Sequence, residues 1–566
     1  MDYDKEGGMK VGSQSPSEDG AIVTTVNRDR GYVRPPLMTR LGLTPDSFRR
    51  RDLDDAHNQL NQTLKTRHLN MIAIGGSIGA GLFVNSGSSL RTGGPGALLI
   101  AFGIIGLMIF NVVYALGELA MMYPISGGFY TYSSRFIDPS WGFAMGWNYC
   151  FQWAIILPLE LVVAGLTVNY WGADVNIAVW ITVFLIAVIL INVFGVLGYA
   201  EEEFWVSIIK LSTIIIFMIM ALIFTLGGGP SNGQYSEYWG ARLWYDPGAF
   251  SDGFVGVCSV FVNAAFAFSG SELVGLAAAE TENPQRSLPS AIKQVFWRIT
   301  LFYILGLFFV GLLVRWDDPR LLGNPDAFLD VSASPFVIAA NNAGVPRFGD
   351  FVNAVILLSV ISIGLSGVYG ASRTLTALAE QGYAPKVFTY VDKAGRPLWS
   401  TIVILACGCI AYITLASTGV VVFNWLVSLS GLAALFTWGS ICLAHIRFRA
   451  AWKAQGHTLD ELPFRALFGT GGSWFGLGLI VIVLIAQFYV AIKDLDAETF
   501  FRAYLAFFVV ALFYLIGWIW KREGWKKVHE LDVDSGRRDF DWEVIHKERA
   551  RIAQMNSFRR FINKIW

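Results

Sequence analysis

The chain has little of what most enzyme and metal chemistry requires. Among 566 residues there are five cysteines and six histidines. Cys150, Cys258, Cys407, Cys409 and Cys442 all lie in apolar stretches, none clusters with histidine at metal-ligand spacing, and no extracellular disulfide framework is visible. Cys407-Gly408-Cys409 has the wrong spacing for a C-x-x-C redox motif and reads as small residues at a helix-packing face. No G-x-x-x-x-G-K-[ST] loop occurs, so ATP-driven pumping has no support. H-E-x-x-H and G-x-S-x-G are also missing, so a membrane hydrolase has no visible machinery. Charge is scarce at 15% and balanced, 43 Lys+Arg against 43 Asp+Glu, which gives no hint of nucleic-acid binding. The chain is thus expected to be no enzyme and to hold no metal or cofactor.

Apolar surface is what the chain has in quantity. It is 54% hydrophobic, with a mean hydropathy of +0.49. The surplus falls in segments of membrane length, roughly 20 apolar residues being needed to cross the hydrocarbon core. About twelve are read, at 69–90, 97–122, 141–170, 177–195, 204–226, 251–280, 297–315, 349–377, 401–420, 423–446, 473–493 and 500–520. The fold class is therefore an all-α integral membrane protein with the lipid bilayer as its solvent. Residues 1–65 form a polar tail without the apolar core of a signal peptide, expected to be disordered and cytosolic. Residues 66–520 carry the transmembrane domain, and 521–566 a second cytosolic tail. That second tail alternates charge with Trp525, Phe540, Trp542, Ile545, Ile552, Phe558, Phe561, Ile565 and Trp566. It reads as an amphipathic helix on the inner leaflet or against the membrane body, or as a flexible charged tail. The tails are where cytosolic trafficking factors are expected to meet the protein.

Lys and Arg near the segment ends set the orientation. Lys65 and Arg67 precede the first segment. Arg286, Lys293 and Arg298 lie between the sixth and seventh, Arg373 to Arg396 surround the connection from the eighth to the ninth, Arg447 to Arg465 follow the tenth, and Lys521 to Lys527 follow the twelfth. With twelve segments these share one side, which places both termini in the cytosol. Glu201-Glu202-Glu203 reads as an acidic loop on that side.

Two apolar segments are broken by glycine. Gly75-Gly76-Ser77-Ile78-Gly79-Ala80-Gly81 interrupts the first, and Phe266-Ala267-Phe268-Ser269-Gly270-Ser271-Glu272 the sixth. Unpaired backbone is costly in lipid and persists where it is buried in protein or lines a cavity. Paired interruptions in two halves of a membrane chain point to a transporter's substrate site. The alternative is close helix packing of G-x-x-x-G type. Charged residues inside spans are costly and usually functional. Lys210, Glu160 and Glu272 are three such residues, and Glu118 ends the second segment, where a structural or gating role is expected. For Lys210 a snorkelling lysine is the competing reading.

The motifs Arg67 to Phe83, Gly117-Glu118-Leu119-Ala120, Pro124 to Phe129, Gly275 to Thr281 with Asn283-Pro284, and Ser372-Arg373-Thr374-Leu375 with Gly382-Tyr383-Ala384-Pro385 resemble fungal amino acid permeases. These belong to the amino acid–polyamine–organocation superfamily. The resemblance covers roughly residues 65 to 545. From Ala279 to Tyr303 the chain is most similar to the general, broad-range permeases. The resemblance implies two inverted five-helix repeats with spans 1 and 6 unwound at the midplane, plus two extra spans. It also implies proton-driven uptake of L-amino acids at the plasma membrane by alternating access. An exchanger of the same fold and a receptor that binds amino acids without net transport are the alternatives.

A zwitterion needs partners for both its charges. A half-helix N-terminus suits the carboxylate, and the family's carboxylate motif falls on Gly79, Ala80 and Gly81. Exposed carbonyls suit the ammonium, and the matching positions are Ser77, Phe266 and Ser269. Phe266 and Phe268 are candidate lids. Glu160 is expected to face the cavity, toward a cationic substrate side chain or a proton. Lys210 matches the lysine that replaces a sodium ion in sodium-independent members, and Glu272 is a second proton-relay candidate. Ser362 and Ser366 are expected near Lys210, with bonding to their own helix backbone as the alternative.

Overall fold

The computed structural model describes residues 38, 42–51, 64–123, 128–172, 175–281, 284–321, 334–415, 419–493, 495–556 and 558–559. The Pro124–Gly127 and Asn283 motif positions, most of the N-terminal tail, and Phe561, Ile565 and Trp566 lie outside the described residues.

Eighteen α-helices appear among the described residues, with no strand beyond two isolated bridges. They are Thr66–Gly75 (α1), Ala80–Phe83 (α2), Asn85–Met122 (α3), Phe129–Phe136 (α4), Pro139–Asn169 (α5), Ile177–Val193 (α6), Gly195–Thr225 (α7), Gly253–Phe268 (α8) and Leu273–Ala277 (α9). Pro284–Trp297 (α10), Gly306–Leu313 (α11), Pro335–Asn342 (α12), Pro346–Glu380 (α13), Leu398–Cys407 (α14), Gly419–Ala454 (α15), Gly469–Lys493 (α16), Ala497–Lys521 (α17) and Trp542–Ala553 (α18) follow. A π-helical stretch, Arg298–Leu305, joins α10 to α11. Several helices begin where caps demand it. The Asp138 carboxylate accepts from the Ser140 N–H at 2.9 Å with Pro139 at the first helical position, and Asn176 caps Ala178 in the same way.

Among the described residues, ten stretches are long and apolar enough to cross a membrane, and Ile177–Val193 falls just short at 17 residues. The expected segment 69–90 is not one of the ten because its helix is broken, and its second part runs on into α3. Within α3, Gly94 takes φ 80 and ψ 172 directly before Pro95. The chain turns there, so 85–93 continues the first segment and 95–122 forms the second. A Cβ at Gly94 would lie 2.7 Å from the Ala249 carbonyl, which leaves room only for glycine.

Helices α5 and α13 form the centre of the bundle, and α3 packs along α8. Helices α6, α16 and α17 show lipid a nearly continuous apolar surface, including Ile186, Leu190, Ile482, Ile485, Leu512 and Leu515. Fully buried Trp153, Trp438 and Trp452 fill the interior.

Two expectations change at one end of the bundle. Glu201, Glu202 and Glu203 are not a loop: they lie inside α7, which begins nine residues before the expected 204. Charge density suggested a connection, but these carboxylates have partners. Glu201 pairs with Arg67, and Glu203 is fully buried. Residues 42–51, placed by the sequence in a disordered tail, pack on the connection between α13 and α14. Arg51 N–H donates to Val391 O at 3.0 Å, Tyr390 hydroxyl to Phe48 O at 2.8 Å, and Phe48 lies 4.0 Å under the Arg396 guanidinium. Lys393 hydrogen-bonds Asp46 and holds its carboxyl below the ordinary value. That contact is present at neutral pH and is lost only as pH falls through the lowered value.

The C-terminal segment docks on the membrane body rather than hanging free. Tyr123 hydroxyl donates to Val533 O at 2.7 Å, Arg135 to Asp532 O and Ser535 O, Gln455 to Leu531 O, and Arg538 N–H to Met122 O. Leu531 and Val533 are buried under these contacts. Glu118, expected to be structural or gating, is fully buried. Its carboxylate sits against His445 and Arg449 and accepts the Ala466 N–H at 2.7 Å, joining α3 to α15 and to the connection before α16.

Candidate functional site

The two glycine breaks meet. Helix α1 stops at Gly75, the chain crosses Gly76 to Gly79, and α2 starts at Ala80. Opposite it, α8 stops at Phe268, Gly270 takes φ +96, and α9 resumes at Leu273. A Cβ at Gly270 would lie 2.6 Å from Gly76 O, and one at Gly81 would lie 2.5 Å from the Ala267 Cα. The glycines therefore serve close approach of the two breaks as well as access to the backbone. Gly270→Ala combines a left-handed backbone with this overlap. The strain alone costs about 1–3 kcal/mol. The variant is expected to lose uptake and to unfold at a lower temperature in detergent. A wild-type melting temperature would refute the apposition.

A cavity lies between the breaks, lined by Ser77, Gly79, Ala80, Gly81, Phe266 and Ser269, with Glu160 entering from α5. Trp153 and Ile156 of α5 and Ile363 of α13 complete its wall, and sequence reasoning missed all three. Its volume is about 10 Å³, room for the centre of one water. The breaks are closed on each other, and a larger guest requires them to part.

Glu160 is buried, with its Oε2 lacking a hydrogen-bond partner. Its carboxyl shares the cavity with Ala80, the first residue of α2. The half-helix N-terminus expected to take a substrate carboxylate thus faces a carboxyl of the protein itself. Ser269 is held by Gln152, whose Nε2 donates to its hydroxyl at 2.8 Å while Oε1 stays unpartnered. Tyr303 joins the two breaks: its hydroxyl lies 3.0 Å from Ser77 O, 2.8 Å from Ala267 O and 3.2 Å from the Ser77 hydroxyl. Neither Gln152 nor Tyr303 is visible as a site residue in the sequence, because neither interrupts a pattern.

Three candidates fall outside the cavity: Phe268, Glu272 and Lys210. Phe268 is fully buried, stacked on Tyr303 at 4.2 Å and packed beside Phe102. Its ring supports the tyrosine and is not part of this cavity's lining, since it sits two helical positions away from Phe266. Glu272 accepts from Trp438 Nε1 at 3.2 Å and faces the Gly270 N–H at 3.4 Å. It braces the sixth-span break against α15. Arg298 lies beside it, bound to Ser271 and, at 2.5 Å, to Ala73 O.

Lys210 is fully buried, so the snorkelling reading is overturned. Its ammonium donates to Gly75 O, the last residue of α1, at 3.3 Å and stands 3.5 Å from the Glu203 carboxylate. Glu203 accepts from Ser207 at 2.7 Å and from Ser362 at 2.5 Å. Ser362 thus reaches the lysine's partner rather than the lysine, and Ser366 bonds Tyr199 instead. One buried ion pair links α7, the end of α1 and the middle of α13.

Residues 68–530 match the family model described as amino acid permease. The chain is 61% identical over 548 residues to the amino-acid permease inda1 of Hypocrea atroviridis, covering 95% of this chain and 96% of that one. It is 49% identical to the general amino-acid permease GAP1 of Saccharomyces cerevisiae, covering 90% and 86%. It is 44% identical to cationic amino acid transporter 1 of Schizosaccharomyces pombe, covering 91% and 89%. A family match across most of the chain, a multi-pass helical bundle and two apposed helix breaks agree, and the chain belongs to the amino acid permease family.

Proposed function

We propose that this protein imports L-amino acids of broad range by proton symport, with alternating access across the plasma membrane and both termini in the cytosol. The observation that carries the proposal is the buried Lys210–Glu203 pair, bonded through Gly75 O to the end of the helix whose break lines the cavity. A proton can drive uptake only if its binding favours one facing state. A lysine that releases the α1 terminus when neutral meets that requirement. In this reading the helices form twelve spans, the first ten as two inverted repeats, with cavity and breaks at the midplane.

The substrate binds where Ser77, Gly79, Ala80, Gly81, Phe266 and Ser269 surround the cavity. Backbone N–H groups take its carboxylate and break carbonyls its ammonium, so the site reads amino acids as a class. The incoming carboxylate displaces the Glu160 carboxyl from Ala80, and a cationic side chain then pairs with it. Names of relatives that mention general and cationic amino acids support this range. Glu160→Gln is expected to reduce uptake of lysine or arginine more than that of leucine, through loss of a poorly screened charge. An equal loss for both classes would place Glu160 in proton coupling or folding instead.

The deciding experiment is uptake of a panel of labelled amino acids at two pH values in transport-deficient cells. Accumulation above the outside concentration that rises with the proton gradient supports symport. Counterflow without net uptake would mean an exchanger, and binding without movement a receptor.

A further inference from the structure

A second cavity, of about 160 Å³, opens between α6, α7 and α14, away from the broken helices. Part of its wall is apolar, and Ile189 and Ile402 carry that wall to the lipid-facing surface, where both are exposed. Its other end is charged. Arg396 lines it and is 5% exposed. The guanidinium donates through Nε to Asp392 at 2.6 Å and through Nη1 to Val193 O at 2.5 Å, while Nη2 has no hydrogen-bond partner. Arg373 also lines the cavity, but its charge is met by Glu280.

Buried polar groups are nearly always satisfied, so an unpartnered guanidinium N–H in a cavity marks a place for an acceptor. A planar guanidinium suits phosphate. A second, independent observation lies at the rim. The 42–51 segment brings Arg49 and Arg50, both exposed, beside Lys393 and Arg396, and among the described residues of these two segments the acidic side chains are Asp46 and Asp392. Basic clusters at a membrane surface attract anionic lipid headgroups.

We propose that this cavity binds an anionic phospholipid from the leaflet on the side of the 42–51 segment. A phosphate oxygen accepts from Arg396 Nη2, and an acyl chain lies along Ile189 and Ile402. Phe48 covers the Arg396 guanidinium and also lines the cavity, so the bound lipid holds the 42–51 segment and the α13–α14 connection in place. Binding of this kind stabilises the folded protein by mass action. The proposal needs only that the chain spans a membrane, and it stands whether or not protons drive transport.

The test uses the full chain reconstituted in vesicles of phosphatidylcholine alone or with phosphatidylserine added. Retained lipid is measured by native mass spectrometry and thermal stability in parallel. Phosphatidylserine is expected to be retained and to raise the melting temperature. Ile402→Trp fills the cavity mouth from an exposed position without touching a charge, and is expected to weaken retention about tenfold, as is Arg396→Gln. Because Arg396→Gln also loses bonds to Asp392 and Val193, the tryptophan variant decides if the glutamine variant fails to fold. Equal retention of phosphatidylcholine, or undiminished retention of phosphatidylserine in the folded tryptophan variant, overturns the proposal. Equal stabilisation by inorganic phosphate alone overturns the lipid as the source of the anion.

Discussion

Lys210→Met is expected to abolish uphill, pH-dependent accumulation of amino acids. Methionine keeps much of the side-chain length but has no ammonium to donate to Gly75 O or to face Glu203. Both partners of the pair are fully buried. Breaking a buried pair by removing one partner costs about 3–5 kcal/mol, because it leaves the other charge uncompensated. The single variant therefore mixes two effects: loss of the proposed coupling residue and loss of stability. Lys210→Met combined with Glu203→Gln separates them. The new amide can still meet Ser207 and Ser362, and Glu203 no longer leaves a buried charge without its partner, so the double variant is expected to recover much of the folding and membrane insertion. It is not expected to recover accumulation against a gradient. Accumulation in vesicles with an imposed proton gradient, beside a binding measurement on the same protein, reads both effects. A double variant that concentrates amino acids with wild-type pH dependence would exclude the pair as the coupling group, and Glu160 would be the next to test.

The features legible in the sequence are those where one residue type breaks a strong pattern. Glycines at 75, 76, 79 and 81 and at 270 interrupt long apolar runs, and both breaks stand where those runs fail. A lysine in an apolar span is visible for the same reason. What the sequence leaves dark is pairing across the fold. Glu203 looked like part of a charged loop, because its partners Lys210 and Ser362 lie 7 and 159 residues away and only folding brings them together. Tyr303 sits in a span rich in aromatics, and Gln152 carries neither a charge nor a glycine break to mark it. Phe268 shows the converse error. Closeness to Phe266 in the chain suggested a shared role, but each step along a helix turns the side chain by about 100°, so the two rings point to different sides and only Phe266 reaches the cavity. The docked 42–51 segment was hidden because its composition is that of a tail. Its order comes from the connection it lies on, through contacts such as Phe48 with Arg396 and Asp46 with Lys393.

Glu280→Gln is expected to cost transport nearly as much as loss of Lys210, by a different route. Glu280 ends the sixth-span helix and is fully enclosed with Arg373 of α13. Arg373 grips the carboxylate through Nε and, at 3.2 Å, through Nη2, and the Tyr369 hydroxyl donates to it at 3.0 Å. The Arg373 guanidinium lies 3.9 Å over the Tyr369 ring, which stacks on Tyr199 of α7 at 4.7 Å. Glu280 O also accepts the Leu64 N–H at 3.0 Å, just before α1. Through its backbone carbonyl Glu280 thus holds the entry to the first span, and through its carboxylate the eighth, with the Tyr369–Tyr199 stack adding the fifth, all on a single side of the cavity. In an alternating-access cycle these elements must separate for the cavity to open on that side. Removing the charge leaves Arg373 buried without its counter-ion, at about 3–5 kcal/mol. If the open state hydrates that guanidinium, most of this energy shifts the equilibrium toward opening, by about a hundredfold or more at 1.4 kcal/mol per tenfold. The variant should reach the membrane, bind amino acids and fail to accumulate them, because it leaks its gradient. The exchange Glu280→Arg with Arg373→Glu rebuilds the pair with its charges reversed and is expected to restore part of the accumulation. Surface expression, binding and the accumulation ratio are measured together for all three proteins. Wild-type accumulation by Glu280→Gln would show that the pair only braces the fold and does not hold the cavity shut.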